Sequence, residues 1–154
     1  MIYISHRGNL NGMWHPEQEN SLSYIQQAID YGVHVEIDLR LQNGQLFLGH
    51  DYCQYTVSAE WLVERKHKLW IHIKDWEALR WITECGIDFW FFCHQSDAYT
   101  LTSNGYIWSH DLTNTPTNLC IIPVLSRKSV TEYTQTKQYA VCSDYILDCQ
   151  TKFG

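Results

Sequence analysis

The chain has 154 residues, 45% of them hydrophobic, and a formal net charge of -6. That length buries one core but not two, so residues 1–154 read as a single domain. The acidic balance speaks against a nucleic-acid surface, and no apolar run approaches the roughly 20 residues of a membrane span.

The first residues, Met1-Ile2-Tyr3-Ile4-Ser5, are already strand-like, with no charged leader and apolar stretch ahead of them, which points to a cytoplasmic protein without a transmembrane segment. The strand ends on His6-Arg7-Gly8. An arginine offers a planar fork of donors that matches phosphate, and a glycine lets the backbone pass close to a ligand. Glu19-Asn20-Ser21 leads into a helix over residues 21–31: Asn20 or Ser21 caps it, Leu22, Ile25, Ala28 and Ile29 recur at helical spacing, and Gly32 stops it.

Val33-His34-Val35-Glu36-Ile37-Asp38-Leu39-Arg40 reads as the next strand. Side chains alternate along a strand, so Glu36 and Asp38 share a face, roughly 7 Å apart. Such a pair suits either an exposed edge or a hard divalent cation bound by carboxylate oxygens. The turn Gln42-Asn43-Gly44 returns the chain through Gln45-Leu46-Phe47-Leu48 to His50-Asp51. With His6, this brings a second histidine near the carboxylates, and a histidine pair can serve as general base and general acid.

Further along, Ser58 to Glu64 suggests a second helix, and Asp75 caps a third that runs through Cys85 to Gly86, with Trp76, Leu79 and Ile82 as its apolar stripe. Strands are expected at residues 69–74, 89–93, 106–108, 120–125 and 140–144, and Thr113 to Asn118 shows no helical pattern. Counting those at Tyr3 and Val33 gives about seven strands, mostly separated by short helices or loops, the pattern of parallel strands covered by helices. The cysteines at 53, 85, 93, 120, 142 and 149 include no Cys-x-x-Cys pair and are read as reduced thiols rather than disulfides or a zinc site.

Taken in order, His-Arg-Gly, Glu-Asn-Ser before a helix, Glu-x-Asp on the next strand, Asn-Gly and then His-Asp resemble the start of the glycerophosphodiester phosphodiesterases, relatives of phosphatidylinositol-specific phospholipase C. The likeness covers residues 3 to 51 and is looser beyond. It implies a TIM barrel, His6 and His50 as acid and base, Arg7 on phosphate, Glu19 and Asn20 supporting the site, and Glu36 with Asp38 as metal ligands. It also implies a place in lipid metabolism. Lys74 matches the family's lysine on the following strand, but His72 stands where a third metal-binding glutamate is expected, and Gln18 replaces a proline before Glu-Asn. One divalent cation is expected, Mg²⁺ or Ca²⁺, with Mn²⁺ or Zn²⁺ if His72 ligates.

A TIM barrel normally takes eight βα units and at least about 200 residues, so the expected fold is α/β, a reduced TIM-type barrel of about seven parallel strands with short or missing covering helices and incomplete closure. Its site would lie at the C-terminal strand ends, where His94, Ser109, His110, Asp111 and Asp144 become secondary candidates. The expected activity is metal-dependent hydrolysis of a small-molecule or polymeric phosphodiester, a glycerol diester giving glycerol 3-phosphate and an alcohol. The alternatives are a catalytically degenerate barrel that binds phosphorylated ligands and a phospholipase-like lipid phosphodiesterase.

Overall fold

The computed structural model describes residues 1–154. Its strands are β1 (Ile2–His6), β2 (His34–Gln42), β3 (Gln45–Leu48), β4 (Tyr55–Thr56), β5 (Leu69–Ile73), β6 (Phe91–Cys93), β7 (Tyr99–Leu101), β8 (Ile107–Ser109), β9 (Cys120–Pro123) and β10 (Ala140–Ser143). Its helices are α1 (Leu22–Tyr31), α2 (Ala59–Arg65), α3 (Trp76–Glu84), α4 (Arg127–Glu132) and α5 (Ile146–Phe153). The fold is mixed α/β, a curled half-barrel sheet that is only partly parallel.

Parallel pairing runs through β6-β5-β2-β1-β10-β9-β8. That series holds seven strands, but the sheet as a whole is larger than expected and not all parallel: it has ten strands, with β3 paired antiparallel to β2 through the expected turn, and the unexpected β4 and β7 paired antiparallel to β3 and β8. β4 and β7 are two and three residues long, too short to show an alternation pattern in sequence. No ladder joins β6 to β8. Instead Phe91 and Ser103 exchange two hydrogen bonds, the Ser103 amide to the Phe91 carbonyl at 2.8 Å and the Phe91 amide to Ser103 Oγ at 2.9 Å. Phe92 on β6 stacks on Trp108 of β8 at 4.3 Å between ring centroids, so the two ends of the parallel series meet.

Capping sets the helix boundaries. Ser21, Ser58 and Asp75 accept hydrogen bonds from Tyr24, Trp61 and Ala78 at the starts of α1, α2 and α3, and Gly32 ends α1 at φ 104, a conformation that favours glycine. The hairpin β2-β3 turns on Asn43 and Gly44, both at positive φ, as a two-residue turn with right-handed strand twist requires. Two helices lay outside the sequence expectation. In the six residues of α4 only Val130 is apolar, which leaves no stripe to read.

Apolar residues of β2, β3 and β5 form the largest core with α1, α2 and α3. Inside the curl, Ile4, Trp70, Phe92, Trp108, Ile121, Ala140 and Cys142 fill the space. Trp70 is fully buried and meets Trp90, Tyr106 and Tyr139, so the N-terminal end of the interior is closed by aromatic rings. That filling leaves a cleft only at the C-terminal ends of the strands.

Candidate functional site

Strand register brings the ionisable groups together. β1 pairs with β2 so that His6 lies level with Glu36, and β2 pairs with β5 so that Asp38 lies level with His72. Glu36 is 2% and Asp38 0% exposed, which rules out the exposed acidic edge as an explanation of Glu-x-Asp. Above them opens a cleft of about 440 Å³ lined by His6, Arg7, Glu36, His50, His72 and Lys74, with Phe92, His94, Trp108 and His110 on its β6–β8 side.

Buried carboxylates are costly without compensation, and Asp38 has several partners. Asn20 Nδ2 donates to Asp38 Oδ2 at 2.9 Å, and the Asp38 amide donates to Asn20 Oδ1 at 2.9 Å. Arg7 Nε lies 3.0 Å from Asp38 Oδ2, and Lys74 Nζ 3.9 Å from Oδ1. Burial works against the Asp38 anion, but His72, Arg7 and Asn20 outweigh it and hold its carboxyl well below the usual range. Arg7 and Asn20 adopt φ of 56 and 65, uncommon for residues with side chains, and are tied together by the hydrogen bond from the Asn20 amide to the Arg7 carbonyl at 3.0 Å. Between them Gly8 sits at φ 98, where an added Cβ would stand 2.7 Å from the Tyr24 ring.

The first histidine is fixed through one ring nitrogen. His6 Nδ1 lies 2.8 Å from Asp144 Oδ1, so it carries the proton and leaves Nε2 free, 3.9 Å from Glu36 Oε2. Burial disfavours the His6 cation, but Asp144 and Glu36 outweigh that and raise its pKa. Asn9 Nδ2 bridges Asp144 at 2.8 Å and Glu19 at 2.9 Å, while Glu19 also accepts from Arg7 at 3.2 Å. Asn9 is buried, and nothing in its local sequence marks it beyond its place just after His-Arg-Gly.

His50 reaches the cleft from a tight loop. An added Cβ at Gly49 would meet the Tyr52 carbonyl at 2.0 Å. Arg40 holds the loop by donating to the carbonyls of Gly49, at 2.9 Å, and His50, and the Gly49 amide donates to the Asp38 carbonyl at 3.0 Å. His50 Nδ1 pairs with the exposed Asp51 at 2.8 Å. Arg40 was not singled out in sequence, because its partners are backbone atoms brought near by the hairpin.

Glu36, Asp38 and His72 can hold a metal ion, their ligand atoms all lying within 4.8 Å of one another. The residues fit such an ion on two counts. Glu36 Oε2 and Asp38 Oδ1 are buried without a hydrogen-bond partner. His72 Nε2 lies 2.8 Å from the His94 carbonyl, which only accepts, so Nε2 carries the proton and Nδ1 turns to Asp38 at 3.2 Å and Glu36 at 3.6 Å. A neutral ring would present a lone pair to two carboxylates unless a cation stood between them. With a proton as that cation, burial lowers the His72 pKa, but the two carboxylates push it up to about 9.

Among the secondary candidates, His94 and His110 line the cleft and stack at 4.1 Å, and Asp144 touches His6. Burial, with neighbouring His94 and His72, pulls His110 down to about 4. Ser109 and Asp111 lie outside the lining, and Asp111 instead caps its own loop through Thr113 and Asn114. All six cysteines are unpaired thiols, and no helix is long and apolar enough to cross a membrane. Comparisons with protein families, curated proteins and solved structures gave no match to this chain.

Proposed function

We propose that the protein is a metal-dependent phosphodiesterase on a reduced TIM-type barrel, hydrolysing a glycerophosphodiester to glycerol 3-phosphate and an alcohol. One observation carries the reading: two histidines held at Nδ1 by carboxylates share a cleft with Arg7, Lys74 and a Glu36-Asp38-His72 group whose carboxylates are buried. A divalent cation held by Glu36, Asp38 and His72 would supply Lewis-acid stabilisation of a nonbridging phosphate oxygen. Arg7 and Lys74 offer fixed positive charge to the other phosphate oxygens, and Asp38 and Glu19 set the guanidinium in place.

His6 and His50 each have Nδ1 committed to a carboxylate, which leaves Nε2 as the atom that moves a proton. One Nε2 removes the proton of the attacking hydroxyl or water, and the other protonates the departing alkoxide. His6 is the better base candidate, since Asp144 stabilises the cation it becomes. Histidine in place of a third carboxylate makes the ligand set less negative and favours Mn²⁺ or Zn²⁺ beside Mg²⁺ or Ca²⁺.

A second reading rests on the same histidine. His72 as an imidazolium neutralises the two carboxylates by itself, and the cleft then binds phosphorylated ligands without turnover. Hydrolysis of bis(p-nitrophenyl) phosphate and glycerophosphocholine, with EDTA or added metals, separates the two. Metal-dependent turnover that falls in both His6→Ala and His50→Ala supports the hydrolase. Binding of glycerol 3-phosphate that EDTA leaves intact, with no turnover under any metal, supports the binding module.

A further inference from the structure

The β6–β8 side of the cleft is built differently from the rest, and the side chains of Phe92, His94, Trp108 and His110 have no part in the reading above. Where no ladder joins the two strands, residues at matching heights meet in pairs. Phe92 stacks on Trp108 at 4.3 Å and an interplanar angle of 18°, and just past the ends of the two strands His94 stacks on His110 at 4.1 Å and 15°. His72 lies against Phe92 at 4.8 Å and 12°, so the rings continue to the edge of the carboxylate group. Pro123 and Leu125 from the end of β9, and Gln95, line the same cleft.

Face-to-face stacking decides what this wall can bind. The faces of Phe92 and Trp108 are turned to each other, and both residues are only 3% exposed, so little but ring edge is left for the cleft. Ring edges carry the positive end of the aromatic quadrupole and give a cation no cage. Glu36 is the only carboxylate lining the cleft, and it faces His6 and His72. A quaternary ammonium group therefore finds no open face of Phe92 or Trp108 here, and the cleft sets the two fixed cations Arg7 and Lys74 against Glu36 as its one lining carboxylate. Imidazole edges and the Gln95 amide both donate and accept, which is what a hydroxyl needs. His94 Nδ1 is buried and has no partner among the protein's own groups.

We propose that this wall is the subsite for the second alcohol of the diester and that it selects an uncharged, polyhydroxylated alcohol over a cationic one. The inference rests on the phosphodiesterase reading of the same cleft and names its substrate class. Hydroxyls of the alcohol hydrogen-bond the edges of His94, His110 and Gln95, and its carbon skeleton lies against Leu125 and Pro123.

The test compares glycerophosphoinositol with glycerophosphocholine, which share the glycerol 3-phosphate half, in wild type, His94→Leu and His110→Leu. The expected result is a kcat/KM ratio of about tenfold or more in favour of the inositol diester, falling towards unity in both variants, as loss of one or two hydrogen bonds implies. A ratio at or below one in the wild type overturns the proposal. So does a parallel loss on both diesters that keeps the ratio, since the histidines would then serve the fold or the chemistry alone. If neither diester is hydrolysed with any metal, the hydrolase reading fails separately, and calorimetric binding of the same two compounds decides the subsite. Tighter binding of the inositol diester supports it, and equal or reversed affinities overturn it.

Discussion

Two histidines at opposite ends of the curled sheet carry opposite shifts. His34, on β2 at the N-terminal end, accepts a hydrogen bond from Trp70 Nε1 at 3.2 Å and stacks on Trp90, and burial with nearby Lys68 pulls its pKa down to about 4. His72, on β5 at the C-terminal end, is half-buried like His34, yet Asp38 and Glu36 drive it up to about 9. Burial acts in the same sense on both, so the neighbours decide. One end of the interior is a neutral aromatic plug, and the other concentrates charged side chains around two buried carboxylates.

The comparison can be broken at either end. The largest effect is expected at the charged end: His6→Ala lowers kcat by about 10²- to 10⁴-fold, the range for a lost general acid or base, in a steady-state assay with saturating metal. At the aromatic end Trp70→Ala leaves activity machinery untouched but removes the ring at the centre of the plug, at a cost of about 3 to 5 kcal/mol in urea unfolding. Asp144→Asn falls between the two kinds of change. It keeps the shape beside His6, drops kcat by about ten- to a hundredfold, the worth of a hydrogen bond to a charged group, and moves the acid limb of the pH–rate profile to lower pH, because the carboxylate that raises the His6 pKa is gone.

The smallest effect is a slope. His34 has a folded pKa of about 4, below its unfolded value near 6.5. Between those values the unfolded chain binds the extra proton, so this histidine makes stability rise with pH from about 4 to 6.5 and lose ground as pH falls through that window. In His34→Gln the unfolding midpoint in urea should depend less on pH across the same window than in wild type. An unchanged slope would mean that His34 is not held neutral by the plug.

Short-range patterns carried much of this organisation in the sequence. Alternation along residues 33–40 put Glu36 and Asp38 on one face, Asp75 marked the start of α3, and the first cap was narrowed to Asn20 or Ser21, of which Ser21 makes the bond. What stayed hidden depends on contacts between distant residues. Asp144 stood only among the secondary candidates because its contact with His6 spans 138 positions, and Asn9 and Arg40 act through partners that only the folded sheet brings within reach. Asp111 looked equivalent to Asp144 as an acid just past a strand, yet its side chain turns to its own loop. β7 escaped notice because three residues with two exposed apolar side chains, Tyr99 and Leu101, show no core-facing pattern.

The counter-ion at the charged end is the point on which the rest depends, and calorimetric titration of Mn²⁺ or Zn²⁺ into the protein at pH 7.5, in buffers of different ionisation enthalpy, addresses it directly. A site at Glu36, Asp38 and His72 predicts one bound ion per chain, release of close to one proton as the metal displaces it from His72 Nδ1, and loss of both in Glu36→Gln. No saturable binding, or binding with no proton released and no sensitivity to Glu36→Gln, would contradict a metal site and leave the His72 imidazolium as the lasting partner of the two carboxylates.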